Sequence, residues 1–254
     1  MKIRSIAVNT FRETIRDRIL YSLLAFAIIM IGLSYFLAGL SLGDFDRIII
    51  NFGLACVHIF GAVIAIFIGI TLVNKEVEKR TIYSIVSKPV SRFKFLVGKF
   101  SGLAITLLVT TVAMVSGLVI TLFLQSGAFH LDLFTVAIFI YLELLLLTAI
   151  AILFSSFSSP TLSSIITLFL FFIGHLSPSL KYFGERADSG MMKPILLFLY
   201  YTLPNLENFN LKNMAVYGVS VDFHHVLFVG AYFCVYVIVV LLIARTIFSR
   251  RDFK

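Results

Sequence analysis

Charged side chains are scarce in this chain, and their scarcity decides its class. Asp, Glu, Lys and Arg make up 13% of the 254 residues, whereas hydrophobic residues make up 60%. An ordinary soluble domain carries about a quarter charged residues. We therefore predict an all-α polytopic membrane protein rather than a soluble one.

Cysteine is rare, and the common catalytic motifs are missing. Cys56 and Cys234 both lie in apolar segments, which excludes a disulfide framework or a cysteine-rich zinc site. Gly98-Lys99 lacks the upstream glycine and the following Ser or Thr of a phosphate-binding loop. Metalloprotease, hydrolase and kinase signatures are absent from the sequence too. We therefore expect no enzymatic activity in this chain, and any ATP that drives it must bind to another protein.

The chain does contain six long apolar segments, each close to the length that a helix needs to cross a bilayer. Ser159 is suited to cap the fifth of them and Pro160 to begin it. The segment before the first span, residues 1–18, is basic and amphipathic and predicts an interfacial helix. We treat residues 1–254 as one domain, with spans at about 19–40, 48–73, 100–124, 133–154, 160–176 and 226–248.

The positions of the cations predict the orientation. Segments 2–18, 74–99 and 245–254 carry five, seven and four of the 21 Lys and Arg residues, and the remaining five lie in the alternate segments. We expect the chain to lie in the inner (cytoplasmic) membrane. By the positive-inside rule, both termini and residues 74–99 should then face the cytoplasm. The net charge of +8 suits an anionic lipid surface, so we expect contacts with membrane lipids and none with nucleic acid.

The longest polar stretch is the basic segment, residues 74–99. It predicts a helix with an apolar face formed by Ile82, Ile85 and Val86, and this helix is interrupted at Pro89. A charged, kinked helix between two spans is suited to docking with a cytoplasmic partner. The alternative, that its cations only set the topology, stays open.

A second non-spanning region, residues 177–225, precedes the last span. Its apolar stretch 195–201 is too short to cross a bilayer, so we predict a partly helical exterior loop with a re-entrant or interfacial helix. This loop is either a lid over the outer mouth of a pathway or an ordinary loop with a membrane anchor.

Glu143 is the most informative single residue. It lies near the middle of the fourth span, with no other charge within ten residues on either side. A carboxylate at that depth costs on the order of 3 kcal/mol, so it should face protein, water or a partner rather than lipid. We consider it a candidate contact in the substrate pathway; the alternative is a protonated or hydrogen-bonded packing contact.

The histidines do not predict a metal site. His224 and His225 are neighbours, which face different directions on a helix and lack the i, i+4 spacing of helical zinc ligands. His58 and His175 lie in apolar spans, where we expect hydrogen-bonded structural residues.

The basic segment carries a resemblance to a known family. The runs Glu78-Lys79-Arg80-Thr81 and Ser87-Lys88-Pro89-Val90-Ser91-Arg92, followed by Phe95 and Gly98-Lys99, resemble the cytoplasmic loop of ABC-2-type transporter permeases. The order of an interfacial helix, six spans and a long last exterior loop is also similar. A glycine often precedes the threonine in that family, and Arg80 stands in its place here.

The resemblance implies a permease subunit that pairs with a second, identical or different, permease copy and with two cytoplasmic ATPase subunits. ATP and Mg²⁺ would be bound by the ATPase, with no cofactor on this chain, and the family mostly exports its substrates. The loop would be a cytoplasmic coupling helix docked on the ATPase. The coupling residues implied by the match are Glu76, Glu78, Arg80, Thr81, Ile82, Ile85, Lys88, Pro89 and Arg92.

A different class of function stays open beside this one. In an ATP-independent channel or secondary carrier, the basic segment would only set the topology. An inverted repeat would favour a carrier, and the sequence shows none.

Overall fold

In the computed structural model, the described residues are 2–40, 43–78, 92–127, 129–130, 132–187, 191–217, 219 and 221–250. All of the regular secondary structure within them is helical. The helices in chain order are α1 (Lys2–Ile15), α2 (Arg18–Ala38), α3 (Phe45–Glu78), α4 (Arg92–Ser126), α5 (Leu133–Ser155), α6 (Pro160–His175), α7 (Ser177–Arg186), α8 (Met192–Thr202), a 3-10 helix (Leu206–Phe209), α9 (Lys212–Tyr217) and α10 (Phe223–Arg250).

Five of the described helices are long and apolar enough to cross a membrane: α2, α3, α4, α5 and α10. A sixth span arises if α6 and α7, which are bent by 61° at Leu176, count as one broken span. The all-α polytopic prediction is confirmed. At the start of α6, the Ser159 side chain accepts a hydrogen bond from the Leu162 N–H, and Pro160 takes the first helical position.

Helices α3 and α5 form the centre of the bundle. Within their most apolar windows, 72% of the α3 residues and 78% of the α5 residues are buried, against 22% in both α2 and α10. Apolar packing gains little over lipid, so close backbone approach is what holds such helices together. Gly53 and Gly61 on α3 supply it, since a Cβ would meet Leu118 and Leu144 side chains.

The N-terminal helix α1 packs against the beginning of α4. Its buried residues are Ala7, Thr10 and Thr14, one face at i, i+3 and i+7, whereas Ile3 is exposed. Gly98 and Gly102 form the part of the α4 surface that α1 contacts. A Cβ on Gly102 would lie 2.6 Å from the Ala7 carbonyl oxygen and 2.5 Å from the Thr10 Cβ. Lys99 Nζ lies 3.5 Å from Glu13 Oε2 and adds an ion pair to this seam.

The two helices that flank the basic segment extend into it from both sides. Helix α3 continues past the predicted span end at residue 73 to Glu78, and α4 begins at Arg92, ahead of the predicted span start at residue 100. The stretch 79–91, with the predicted kink at Pro89, lies outside the described residues.

Replacing Gly102 tests the seam between α1 and α4. Gly102→Ala should destabilise the protein by about 1–3 kcal/mol, because the new methyl overlaps a backbone carbonyl that cannot move without displacing α1. Gly117→Ala on the same helix is the control, since nothing lies within 4 Å of its Cβ position; it should be neutral or stabilising by up to about 1 kcal/mol. Thermal unfolding in detergent measures both, and equal effects of the two changes would contradict this packing.

Candidate functional site

Glu143 lies at the middle of α5 with 1% of its surface exposed. It faces α3 and α6 rather than the outer surface of the bundle. Its Oε1 atom lies 2.7 Å from His58 Nε2, on α3, and 3.4 Å from His175 Nε2, at the end of α6. The expectation that this carboxylate faces protein is therefore met by two imidazoles from two other helices.

A fourth residue completes the cluster from outside the spans. Lys212 Nζ lies 2.9 Å from His58 Nδ1. An ammonium group has only protons to donate, so His58 Nδ1 accepts and His58 Nε2 carries the proton that is donated to Glu143. The result is a chain of hydrogen bonds in which the charges of Lys212 and Glu143 compensate each other through one neutral imidazole. We call Lys212, His58, Glu143 and His175 the buried cluster.

Lys212 is held in place by the loop that precedes α9. Leu206, Phe209 and Leu211 are buried among the spans. Gly174 permits the close packing of this loop on α6, because a Cβ at that position would lie 2.6 Å from Leu206 Cγ and 2.9 Å from the Pro204 carbonyl oxygen. The Asn205 N–H also donates to the Tyr232 hydroxyl on α10, at 2.8 Å. The segment predicted as an exterior loop thus folds back into one end of the bundle.

Burial lowers the pKa of Lys212, and the charges of Glu143 and Glu207 oppose that shift. Desolvation is the largest cause, because an ammonium group loses its hydration when the loop closes over it. The Lys212 charge is therefore kept in the cluster by the two carboxylates and not by water.

His175 is oriented by its own helix. Its Nδ1 lies 2.9 Å from the Phe171 carbonyl oxygen, and a carbonyl accepts only, so Nδ1 carries the proton. His175 Nε2 is buried and has no hydrogen-bond partner among the described residues. The Phe171 ring packs against both imidazoles, with centroid separations of 5.2 Å to His58 and 4.9 Å to His175.

The arrangement is suited to holding a cation. Three donor atoms, from His58, Glu143 and His175, lie within 4.8 Å of one another. They are the residues of this site that could hold a metal ion. The cluster also joins α3, α5 and α6 to the beginning of α9.

Sequence reasoning identified Glu143 and missed its partners. The sequence predicts hydrogen-bonded structural roles for His58 and His175, and Lys212 is one of the five cations in the alternate segments. The available signal was two histidines and a carboxylate in otherwise apolar spans. His225 does not belong to the buried cluster, and its Nε2 lies 3.2 Å from the Asn208 carbonyl oxygen.

The sequence-predicted coupling residues lie apart from this cluster along the chain. Glu76 and Glu78 are in the last turns of α3 and Arg92 begins α4. The other predicted coupling residues lie outside the described residues: Arg80, Thr81, Ile82, Ile85, Lys88 and Pro89.

A family profile described as "ABC-2 family transporter protein" matches residues 4–253, nearly the whole chain. No curated protein matches the chain.

The link from Lys212 to Glu143 can be measured by a double-mutant cycle. Glu143→Gln and Lys212→Met should be non-additive in the free energy of unfolding by about 1 kcal/mol, because each change removes the charge that the other compensates. Thermal or denaturant unfolding in detergent provides the four values.

The matched control pairs Glu143→Gln with Arg47→Gln, which removes an exposed cation near the start of α3. That pair should be additive, since Arg47 contacts Asp44 and the ring of Tyr217, at the opposite end of α9 from Lys212, and none of the cluster residues. Additivity in both cycles would contradict the hydrogen-bonded chain.

Proposed function

The chain belongs to the ABC-2 family of transporter proteins, and from this premise we propose that it is a permease subunit that couples ATP hydrolysis on separate ATPase subunits to the export of a substrate. The family match over residues 4–253 is the observation that carries the proposal. Membership makes the chain the membrane subunit of an ABC transporter, a partner of ABC ATPase subunits. The multi-pass helical fold agrees with that role.

The proposed coupling element is the segment of residues 74–99. Helix α3 runs without a break from the bundle centre to Glu78, and α4 leads back from Arg92. A displacement of the intervening stretch by the ATPase would therefore be passed to two rigid helices. Helix α1 would move with α4, because Gly98 and Gly102 leave no space between them.

In the proposed cycle, ATP and Mg²⁺ bind to the ATPase, and neither of them binds to this chain. Closure of the ATPase pair would shift the permease between two arrangements of its spans. The proposal includes a second permease copy, which would cover part of the apolar surface of α2 and α10, and lipids would cover the rest. Both termini and the coupling segment would face the cytoplasm in the inner membrane, as the cation bias predicts.

Glu143 has a proposed part in the pathway. The loop of residues 203–211 is packed over one end of α5 and α6, with Leu206 and Phe209 fully buried. Glu143 and His175 lie beneath it. We assign this loop as the lid of the pathway and Glu143 as the gate residue that holds it closed through His58 and Lys212.

A proton-coupled secondary carrier is the second candidate function. The observation in its favour is the buried cluster itself, since ionisable groups within spans often form proton relays in carriers. In that case the basic segment would set the topology only.

Co-purification distinguishes the two candidates. The tagged chain, gently solubilised from native membranes, should bring down a soluble ABC ATPase. Glu78→Ala combined with Arg92→Ala should lose it, because the change removes one charge of each sign where α3 and α4 meet the segment. The amount of ATPase per permease is measured by quantitative mass spectrometry.

The matched control is Asp44→Ala combined with Arg47→Ala, an exposed acid and base at the other end of α3. This variant should retain the ATPase. A wild type that brings down no ATPase would overturn the coupling proposal and favour the carrier, and equal loss in both double variants would remove the assignment to the segment.

A further inference from the structure

His175 Nε2 is a buried nitrogen with no hydrogen-bond partner among the described residues. His175 Nδ1 donates to the Phe171 carbonyl, which leaves Nε2 as the ring nitrogen that can bind an ion. His175 Nε2 lies 3.4 Å from Glu143 Oε1, which also contacts His58 Nε2. A cation bound between these atoms would satisfy the nitrogen and the carboxylate together.

We propose that His58, Glu143 and His175 form a binding site for a late first-row divalent cation of the Zn²⁺ type. The ligand atoms are His58 Nε2, Glu143 Oε1 and His175 Nε2. The inference goes beyond transport and does not depend on it, because the ion is bound by this chain alone.

The donor set selects the class of ion. Two imidazoles and one carboxylate suit zinc and its neighbours, whereas Mg²⁺ and Ca²⁺ prefer oxygen ligands alone. Zinc sites with two histidines and one acidic residue keep a fourth position for water or substrate.

The distances require a rearrangement of His58, since the three ligand atoms lie within 4.8 Å of one another rather than at one tetrahedral spacing. Metal–ligand bonds of about 2.0–2.2 Å place tetrahedral ligand atoms roughly 3.3 Å apart. The His175–Glu143 separation of 3.4 Å already fits. The His58–Glu143 separation of 2.7 Å is a hydrogen-bond distance and must open by about half an ångström when the ion takes the place of the His58 Nε2 proton. That proton moves to His58 Nδ1, so the imidazole stays neutral, and Lys212 loses its hydrogen bond to Nδ1.

The surroundings of His175 are those of a metal ligand. Ligating histidines typically donate their second ring N–H to a carbonyl or carboxylate, which fixes the ring and its tautomer. The Phe171 carbonyl does this for His175 at 2.9 Å. The His175 side chain is 19% exposed, at the bend between α6 and α7, so an ion has a route in from that side.

The ammonium group of Lys212 competes electrostatically with an ion bound at the site. Its ammonium lies on the far ring nitrogen of His58 and supplies the positive charge that Glu143 needs when the ion is absent. A divalent ion on His58 Nε2 and the Lys212 charge on Nδ1 oppose each other. Binding of the ion therefore loosens Lys212, and removing Lys212 strengthens binding of the ion.

Cobalt(II) is the probe for the test, because its absorption bands report ligand type and coordination geometry. The full-length chain is purified without a polyhistidine tag, stripped with a chelator and titrated with Co²⁺, and then with Zn²⁺ in competition. Wild type should bind one ion with a tetrahedral or five-coordinate spectrum. Glu143→Gln and His175→Asn should each weaken binding about a hundredfold or more.

Two further variants make the test specific. His130→Gln changes a histidine between α4 and α5 that pairs with Asp132, and it should bind Co²⁺ as wild type does. Lys212→Met should bind about tenfold more tightly or better. A gain in affinity with an unchanged cobalt spectrum is not expected from misfolding, so this variant keeps the test decisive if the others fold poorly.

A spectrum and affinity unchanged by Glu143→Gln and His175→Asn would overturn the proposal, because the ion would then lie elsewhere. Failure of both wild type and Lys212→Met to bind Co²⁺ or Zn²⁺ would also overturn it.

Discussion

The pairing of Glu143 with His58 is the interaction on which the arrangement of the bundle depends. A carboxylate at the centre of an apolar helix has neither water nor lipid headgroups to solvate it, so its partners must come from the protein. His58 brings α3 to α5, His175 brings the end of α6, and Lys212 brings the loop before α9. One buried charge thereby fixes the relation of four segments that are far apart in sequence.

Close helix contact is the second constraint, and glycine provides it. In a bilayer, the lipid tails are as apolar as leucine, so association depends on fit rather than on hydrophobicity. Gly53 and Gly61 let α3 approach α4 and α5, and Gly98 and Gly102 let α1 lie on α4. The helices that lead from the basic segment into the bundle are therefore in tight contact with their neighbours, which suits the transmission of movement from an ATPase.

The buried cluster and the basic segment are connected to α3 at separate places. The cluster is formed at His58, whereas the segment begins near the end of the helix at Glu78. A rigid helix connects them. If the basic segment receives a movement from an ATPase, the geometry of the cluster would change with it, and the contact of Lys212 with His58 would then depend on the ATPase cycle.

The sequence by itself determined the elements. Long apolar runs predicted the span helices, Ser159 and Pro160 predicted the start of α6, and the motif around Pro89 indicated the family, because these signals are local or depend on composition. It also indicated that Glu143 must be buried against something. Only the tertiary structure decided what that partner is. His58 is separated from Glu143 by 85 residues, His175 lies on the next helix, and Lys212 begins the short helix α9 outside the predicted spans. Hydropathy shows which helices enter the membrane, but the faces that meet there are decided by packing and charge compensation between helices.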